Sequence, residues 1–171
     1  MNATDLPGNR YFSDLSICAS GQPTATILMG GVAVGKTALR KQVYSDSCVL
    51  IDAAQIFLDL GASDEEDFPG RFASRLEGIG EFVSERAIRE RRNVVTEIIG
   101  DDLESTKALI DALKDMGYKV ELVGVTCDLE TSIERSNNRT ELFVSAYYAG
   151  PINARWILEA LKSLRHSQPN T

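Results

Sequence analysis

Gly30-Gly31-Val32-Ala33-Val34-Gly35-Lys36-Thr37 stands between an apolar, β-branched run, Thr24 to Met29 (TATILM), and a segment of helical pattern, Lys36 to Tyr44 (KTALRKQVY). The eight residues fit G-x-x-x-x-G-K-[ST] in the context that gives the pattern its meaning, after a strand and at the start of a helix. Glycines let successive backbone N–H groups turn inward around a phosphate, and the helix N-terminus adds partial positive charge. Lys36 is spaced to reach the β and γ phosphates, and the Thr37 hydroxyl to bind Mg²⁺. Gly30, Gly31, Val32, Ala33, Val34, Gly35, Lys36, Thr37 and Ala38 are the expected nucleotide-binding set, with ATP or GTP as occupant. A bare glycine turn before a Lys-Thr helix start is the alternative, and the strand-loop-helix context disfavours it.

Outward from the loop, Cys48 to Ile51 (CVLI) is a second apolar run, uniform enough to predict burial on both faces, and Asp52 ends it. An acidic loop, Ser63 to Gly70 (SDEEDFPG), precedes a long helix from about Arg71 to Arg92. Phe72, Leu76, Ile79, Val83 and Ala87 recur there at steps of three and four and mark a buried face, while Arg71, Arg75, Arg86 and Arg89 occupy the other. Asn93 to Ile99 (NVVTEII) reads as a third strand. Asp101 or Asp102 can then cap a helix carrying Leu103, Leu109, Leu113 and Met116, ended by Gly117. Lys119 to Thr126 reads as a fourth strand, followed by helices from about Leu129 to Asn138 and Ile152 to Leu164; residues 1 to 22 form an N-terminal arm. Strands alternating with helices at this spacing predict an α/β fold of P-loop NTPase type, in a single domain. Its sheet is mostly parallel, with four to five strands and helices on both faces. Ligands of such sheets sit at the carboxyl ends of the strands, which directs attention to residues 30–37, 52–55, 97–101 and 127–128.

The composition narrows the partners. A chain of 171 residues is about one domain long, and 43% hydrophobic residues with 25% charged residues suit a packed core. The net charge of −7 repels long polyanions and anionic membranes, so nucleic acid is an unfavoured partner. Cys18, Cys48 and Cys127 are odd in number and widely spaced, which predicts three buried thiols in a reducing cytosol. No apolar run approaches the ~18 residues that span a membrane, and Met1 to Ser20 lacks a secretory pattern; the expectation is a cytoplasmic protein.

A phosphate loop of this kind works with a second acid, at the end of a neighbouring strand, that holds the magnesium shell or activates the attacking group. Asp52, after VLI, and Glu97, after VVT, both qualify, and spacing alone does not divide the roles; a helix cap or a solvated strand end is the plainer alternative for each. Arg135 and Arg139 share a helix face before a loop with Thr140, Tyr147 and Tyr148. Guanidinium groups there would neutralise charge developing on a transferred phosphoryl group, or simply complement a helix dipole. The candidate catalytic set is thus Lys36, Asp52, Glu97, Arg135 and Arg139, and the candidate metal set Thr37, Asp52 and Glu97. His166 is the one histidine, which disfavours a histidine dyad or a zinc site, and Trp156 on an amphipathic helix reads as core.

The runs Gly35 to Arg40 (GKTALR), Val49 to Phe57 (VLIDAAQIF) and Asn93 to Glu97 (NVVTE), with Arg135 and Arg139 after the fourth strand, resemble the zeta toxin family of P-loop kinases over residues 24 to 140. The resemblance implies transfer of a phosphoryl group from ATP or GTP to a small metabolite, a UDP-activated amino sugar in the best-known members. Related small-molecule kinases such as chloramphenicol phosphotransferases share much of the pattern. Carried over by position, Lys36 and Thr37 take the phosphate and magnesium roles, Glu97 the third-strand acid, and Arg135 and Arg139 the lid arginines. A family of toxins also implies an inhibitory antitoxin-like partner. The chain departs from the family where a catalytic aspartate stands two residues beyond the match to Asp52: here that residue is Ala54. The segment after the glutamate reads Ile98-Ile99-Gly100 in place of the family's Gly-Thr, and Asp101 replaces an arginine.

Three readings follow. The first is a Mg²⁺-dependent phosphotransferase acting on a small hydroxyl-bearing metabolite, with Asp52 or Glu97 as base. The second is a nucleotide-binding module that kept the loop and lost transfer. The third, a polynucleotide 5′-end kinase, runs against the charge of −7.

Overall fold

In a computed structural model, which describes residues 9–18, 21–63, 67–138 and 146–166, four strands form one parallel sheet. They are β1 (Thr24–Met29), β2 (Val49–Ile51), β3 (Val94–Ile98) and β4 (Lys119–Gly124), in the order β2-β3-β1-β4. β1 is central: Ile27 is in register with Thr96 of β3 on one side and Leu122 of β4 on the other. Burial follows the order. Every residue of β3 is buried, as a strand flanked on both sides and covered on both faces should be, whereas β4 is half exposed at the sheet's edge. Four strands are present among the described residues, the lower of the expected numbers.

The connections are helical, as parallel strands require. α1 (Lys36–Val43) joins β1 to β2; α2 (Ala53–Asp59) and α3 (Ala73–Arg89) join β2 to β3; α4 (Leu103–Asp115) joins β3 to β4; α5 (Leu129–Asn137) and α6 (Ala146–His166) follow. Alternation along the strands separates the two faces. Ala25, Ile27, Val49, Ile51, Val94 and Ile98 point into a core shared with Leu76, Val83, Leu109, Leu113, Trp156 and Leu161 of α3, α4 and α6. Val95 and Glu97 point the other way, toward α1, where Arg40 bonds Glu97.

The predicted inward face of α3 is buried at each named position, Phe72 in the turn before it and Leu76, Ile79, Val83 and Ala87 within it. Arg86 of α3 and Arg92, just past its end, lie over the Phe12 ring, and Arg92 donates to the Ser13 carbonyl and the Ser16 hydroxyl. These contacts tie residues 9–18 to the domain.

Several local expectations are corrected. Leu103 is 74% exposed, because Asp102 caps α4 by accepting from Ser105 N and so sets Leu103 on the outer first turn. The three thiols are half-buried rather than buried. Leu50 is half-buried because β2 is an outer strand, not one flanked on both sides. The last helix begins at Ala146 rather than Ile152 and runs through Pro151. Packing of Ala149 and Gly150 onto β3 outweighs the local breaker signal: a Cβ on Gly150 would stand 3.2 Å from Ile98 Cα.

Gly80 in α3 meets the face of Trp156, and a Cβ there would overlap the indole ring; Gly78, two residues earlier, has open space around it. Gly80→Ala should therefore lower stability by about 1–3 kcal/mol through overpacking. Gly78→Ala should raise it by about 0.5–1 kcal/mol through helix propensity. Urea melts of the two variants check the pair; equal shifts would contradict the packing.

Candidate active site

The loop between β1 and α1 has the backbone its sequence demands. Gly30 lies at φ 156° and Gly35 at φ 107°, and a Cβ on Gly30 would collide with the Val125 carbonyl oxygen, so only glycine fits there. Ala33 is held at φ 58°, a left-handed conformation that costs about 1 kcal/mol and persists where surrounding structure enforces it. Lys36, only 5% exposed, donates from Nζ to the Gly30 and Gly31 carbonyls, each at 2.6 Å, so its ammonium is inside the loop where a phosphate would sit. The helix that starts at Lys36 supplies N–H groups and a partial positive charge to the same point.

Below the loop, on the α1 face of the sheet, lies a buried charged cluster. Glu97 Oε2 accepts from the Thr37 hydroxyl at 3.0 Å, and Glu97 Oε1 accepts from Arg40 Nε at 2.7 Å. Arg40 Nη2 stands 3.8 Å from Asp52 Oδ2, and Asp52 Oδ1 caps α2 by accepting from Ala54 N at 2.9 Å. All three charged side chains are less than a tenth exposed. Burial, reinforced by the nearby Glu97 charge, pushes the Asp52 carboxyl up to about 6 against the pull of Arg40 and two backbone N–H groups. Asp52 is thus a helix cap, as the plainer alternative has it, and is also buried beside Glu97; neither acid is a solvated strand end.

Asn153, fully buried on α6, fastens the backbones that carry the two acids. Its Oδ1 accepts from Ala53 N at 2.7 Å and its Nδ2 donates to the Glu97 carbonyl at 3.3 Å. Arg135 on α5 is exposed and reaches over the loop, its Nη1 3.8 Å from where a Gly35 Cβ would stand. Arg139 and Thr140 lie outside the described residues. A groove of about 510 Å³ opens between α4 and α6 on the core side of β3, with Ile98, Leu109 and Leu158 as apolar walls and Asp101, Thr106 and Arg155 at polar positions, and neither Asp52 nor Glu97 lines it.

The donor set fits a magnesium ion. Mg²⁺ takes hard oxygen ligands, one or two of them from protein and the rest from phosphates and water, and Thr37 with Glu97 supplies adjacent hydroxyl and carboxylate oxygens at the mouth of the loop. No group of three or more acidic, cysteine or histidine side chains suited to an all-protein metal cage occurs among the described residues. Trp156 is core, as its sequence pattern predicts, with its indole N–H donating to Glu77. Sequence reasoning missed Arg40 and Asn153. An arginine inward on a helix that otherwise presents polar residues gives no periodic signal, and Asn153 is matched to its partners only across 56 and 100 residues.

The elevated Asp52 value has a consequence for stability. A carboxyl whose folded value lies above its unfolded value of about 4 binds its proton more tightly in the folded state. Its contribution is greatest below about pH 4 and is lost as the pH rises through about 6. Asp52→Asn keeps the oxygen that caps α2 and removes the buried charge. It should stabilise the free protein at pH 7–8 by on the order of 1–3 kcal/mol, an advantage that shrinks toward pH 4. Thermal melts of both proteins across pH 4–8 check the sign and the slope.

No curated protein matches the chain. A solved structure that it resembles comes from a study of the PezAT chromosomal toxin-antitoxin system of Streptococcus pneumoniae. The identity is 19% and the TM-score 0.48, over 69% of this chain and 53% of that one, so the chain spans about half the length of that structure. The model of the zeta toxin family, in contrast, matches from residue 8 to residue 165, through the phosphate loop, both buried acids, Arg135 and the helix that carries Asn153, and the chain belongs to that family of kinase-like P-loop proteins.

Proposed function

We propose that the protein is a cytoplasmic, Mg²⁺-dependent phosphotransferase that moves the γ-phosphoryl group of ATP or GTP to a hydroxyl of a small metabolite. The observation that carries this reading is the buried acid cluster directly beneath the phosphate loop. A protein that only bound a nucleotide would need the loop, Lys36 and a metal oxygen, but no second acid held out of water with its proton affinity raised.

Lys36 holds the β and γ phosphates, and Thr37 and Glu97 hold the metal, which neutralises charge on the transferring group when bound. Asp52 serves as general base. The acceptor oxygen forms a bond to the γ phosphorus, the bond from that phosphorus to the β–γ bridging oxygen breaks, the acceptor proton passes to Asp52 Oδ2, and the nucleoside diphosphate leaves. A carboxyl near 6 is largely ionised at pH 7 yet basic enough to accept a proton, the compromise that general-base catalysis favours. Arg135 offsets charge developing on the phosphoryl oxygens. The acceptor is a small hydroxyl-bearing metabolite, with a UDP-sugar as first candidate on family grounds. Membership of a toxin family supports an inhibitory antitoxin-like protein as a further partner.

A second reading, a nucleotide-binding module without transfer, is favoured by one observation: Ala54 stands where the family places its catalytic aspartate. Loss of a general base costs about 10²- to 10⁴-fold, so substitution variants separate the readings.

Incubation of a metabolite extract supplemented with UDP-sugars and Mg²⁺-ATP, followed by mass spectrometry, should reveal a species heavier by one phosphoryl group with the native protein and none with Lys36→Ala. Asp52→Asn should lower transfer by about 10²-fold or more while leaving ATP affinity within a few-fold. Absence of product from the native protein together with a gain of transfer in Ala54→Asp would establish the binding-module reading instead.

A further inference from the structure

Among the described residues, Arg40 is the charged residue paired with both buried acids, and neither loop chemistry nor proton transfer has yet given it a part. Its side chain is 7% exposed, and its contacts are unequal: Nε bonds Glu97 Oε1 at 2.7 Å, whereas Nη2 stands 3.8 Å from Asp52 Oδ2. The close contact fixes one oxygen of Glu97 and turns the other, Oε2, to the Thr37 hydroxyl. A buried ion cluster is a poor device for stability, since apolar residues of similar volume usually serve as well or better. This one also carries one more negative charge than positive. A cluster with an uncompensated negative charge, out of water and beside an anion-binding loop, is suited to receive a cation that arrives with the anion.

We propose that Arg40 is a positioning residue for the metal–nucleotide complex: by locking Glu97 Oε1 it presents Oε2 beside the Thr37 hydroxyl, so that the two protein ligands for magnesium are in place before the nucleotide binds. The guanidinium is suited to this by its shape. Its planar fork addresses two carboxylates along fixed directions, whereas a lysine ammonium is a single centre on a shorter stem and reaches one at a time. Arg40 touches neither nucleotide nor acceptor in this arrangement and acts through Glu97. The inference rests on the proposed nucleotide site but not on phosphoryl transfer.

The test is calorimetry of ATP binding with and without Mg²⁺ for the native protein, Arg40→Lys, Glu97→Gln and the double variant. Arg40→Lys keeps the charge and the fold, so it is the informative single change. Its metal-free ATP affinity should stay within about twofold of the native value, because the loop and Lys36 are untouched. The gain in affinity that Mg²⁺ confers should shrink by about tenfold. Glu97→Gln should do the same, and the double variant should lose little more than either single one, since both act through one carboxylate. A merely structural role would instead lower both affinities and the melting temperature together. That result, an undiminished magnesium effect in Arg40→Lys, or additive losses in the double variant, would overturn the inference. If the native protein transfers no phosphoryl group but these binding results hold, the transferase reading falls and the role of Arg40 stands.

Discussion

Two carboxylates and one guanidinium, each more than nine-tenths out of water, sit beneath the carboxyl edge of the sheet, and the geometry of the site turns on how they are held. Removing Arg40 from such a cluster would leave two buried carboxylates unpaired, at a cost of about 3–5 kcal/mol, so the surrounding elements must keep the guanidinium in place. α1 brings Arg40, the end of β2 brings Asp52 and β3 brings Glu97, and parallel pairing fixes the two acid-bearing strands relative to each other. The order β2-β3-β1-β4 puts the two acid-bearing strands side by side, with the glycine loop leaving the strand on the other side of β3. A slip of one residue in β3 would turn Glu97 into the apolar core and Ile98 onto Arg40, which makes the register a condition of the site and not only of the fold.

α6 closes the arrangement from the opposite face. It spans from the β3 edge, where Gly150 lies close enough to exclude a larger side chain, to the interior where Trp156 packs on Gly80. Between these, Asn153 satisfies a backbone donor after Asp52 and the backbone acceptor of Glu97. Arg40 thus holds Glu97 by a side-chain hydrogen bond and faces Asp52 as an ion-pair partner, while the Asn153 side chain bonds the backbone that carries both acids from the other side of the sheet. The helix that completes the hydrophobic core also fixes the acids, so perturbation of one is transmitted to the other.

Legibility in the sequence followed the range of the signal. The phosphate loop was readable because its chemistry is local: glycines, lysine and threonine within eight residues, between a strand and a helix. The buried face of α3 was readable because periodicity is local as well. Asp52 and Glu97 could be located as strand-end acids but not given separate roles, since the difference between them lies in Arg40, Thr37 and Ala54 N, contacts no spacing rule supplies. The start of α6 was misplaced for the same reason. Gly150-Pro151 breaks a helix in isolation, and packing on Ile98 of a strand some fifty residues earlier outweighs it.

The substitution at residue 54 takes on a definite meaning in this setting. Residue 54 lies in the first turn of α2, and its backbone N–H, not its side chain, is what Asp52 uses. That hydrogen bond holds Asp52 Oδ1, while Oδ2 stands on the side of Arg40 at a separation too long for a hydrogen bond. An acid with Oδ1 fixed by the helix cap has little freedom to reorient, so an acceptor that reached it would meet a group already aimed, with little reorganisation needed at the moment of transfer. The family aspartate would reside on a first-turn helix position that is only half-buried in this chain. Its loss therefore need not remove proton transfer from the site. It would concentrate that step on the cap carboxylate, whose proton affinity burial has already raised into the range the chemistry uses.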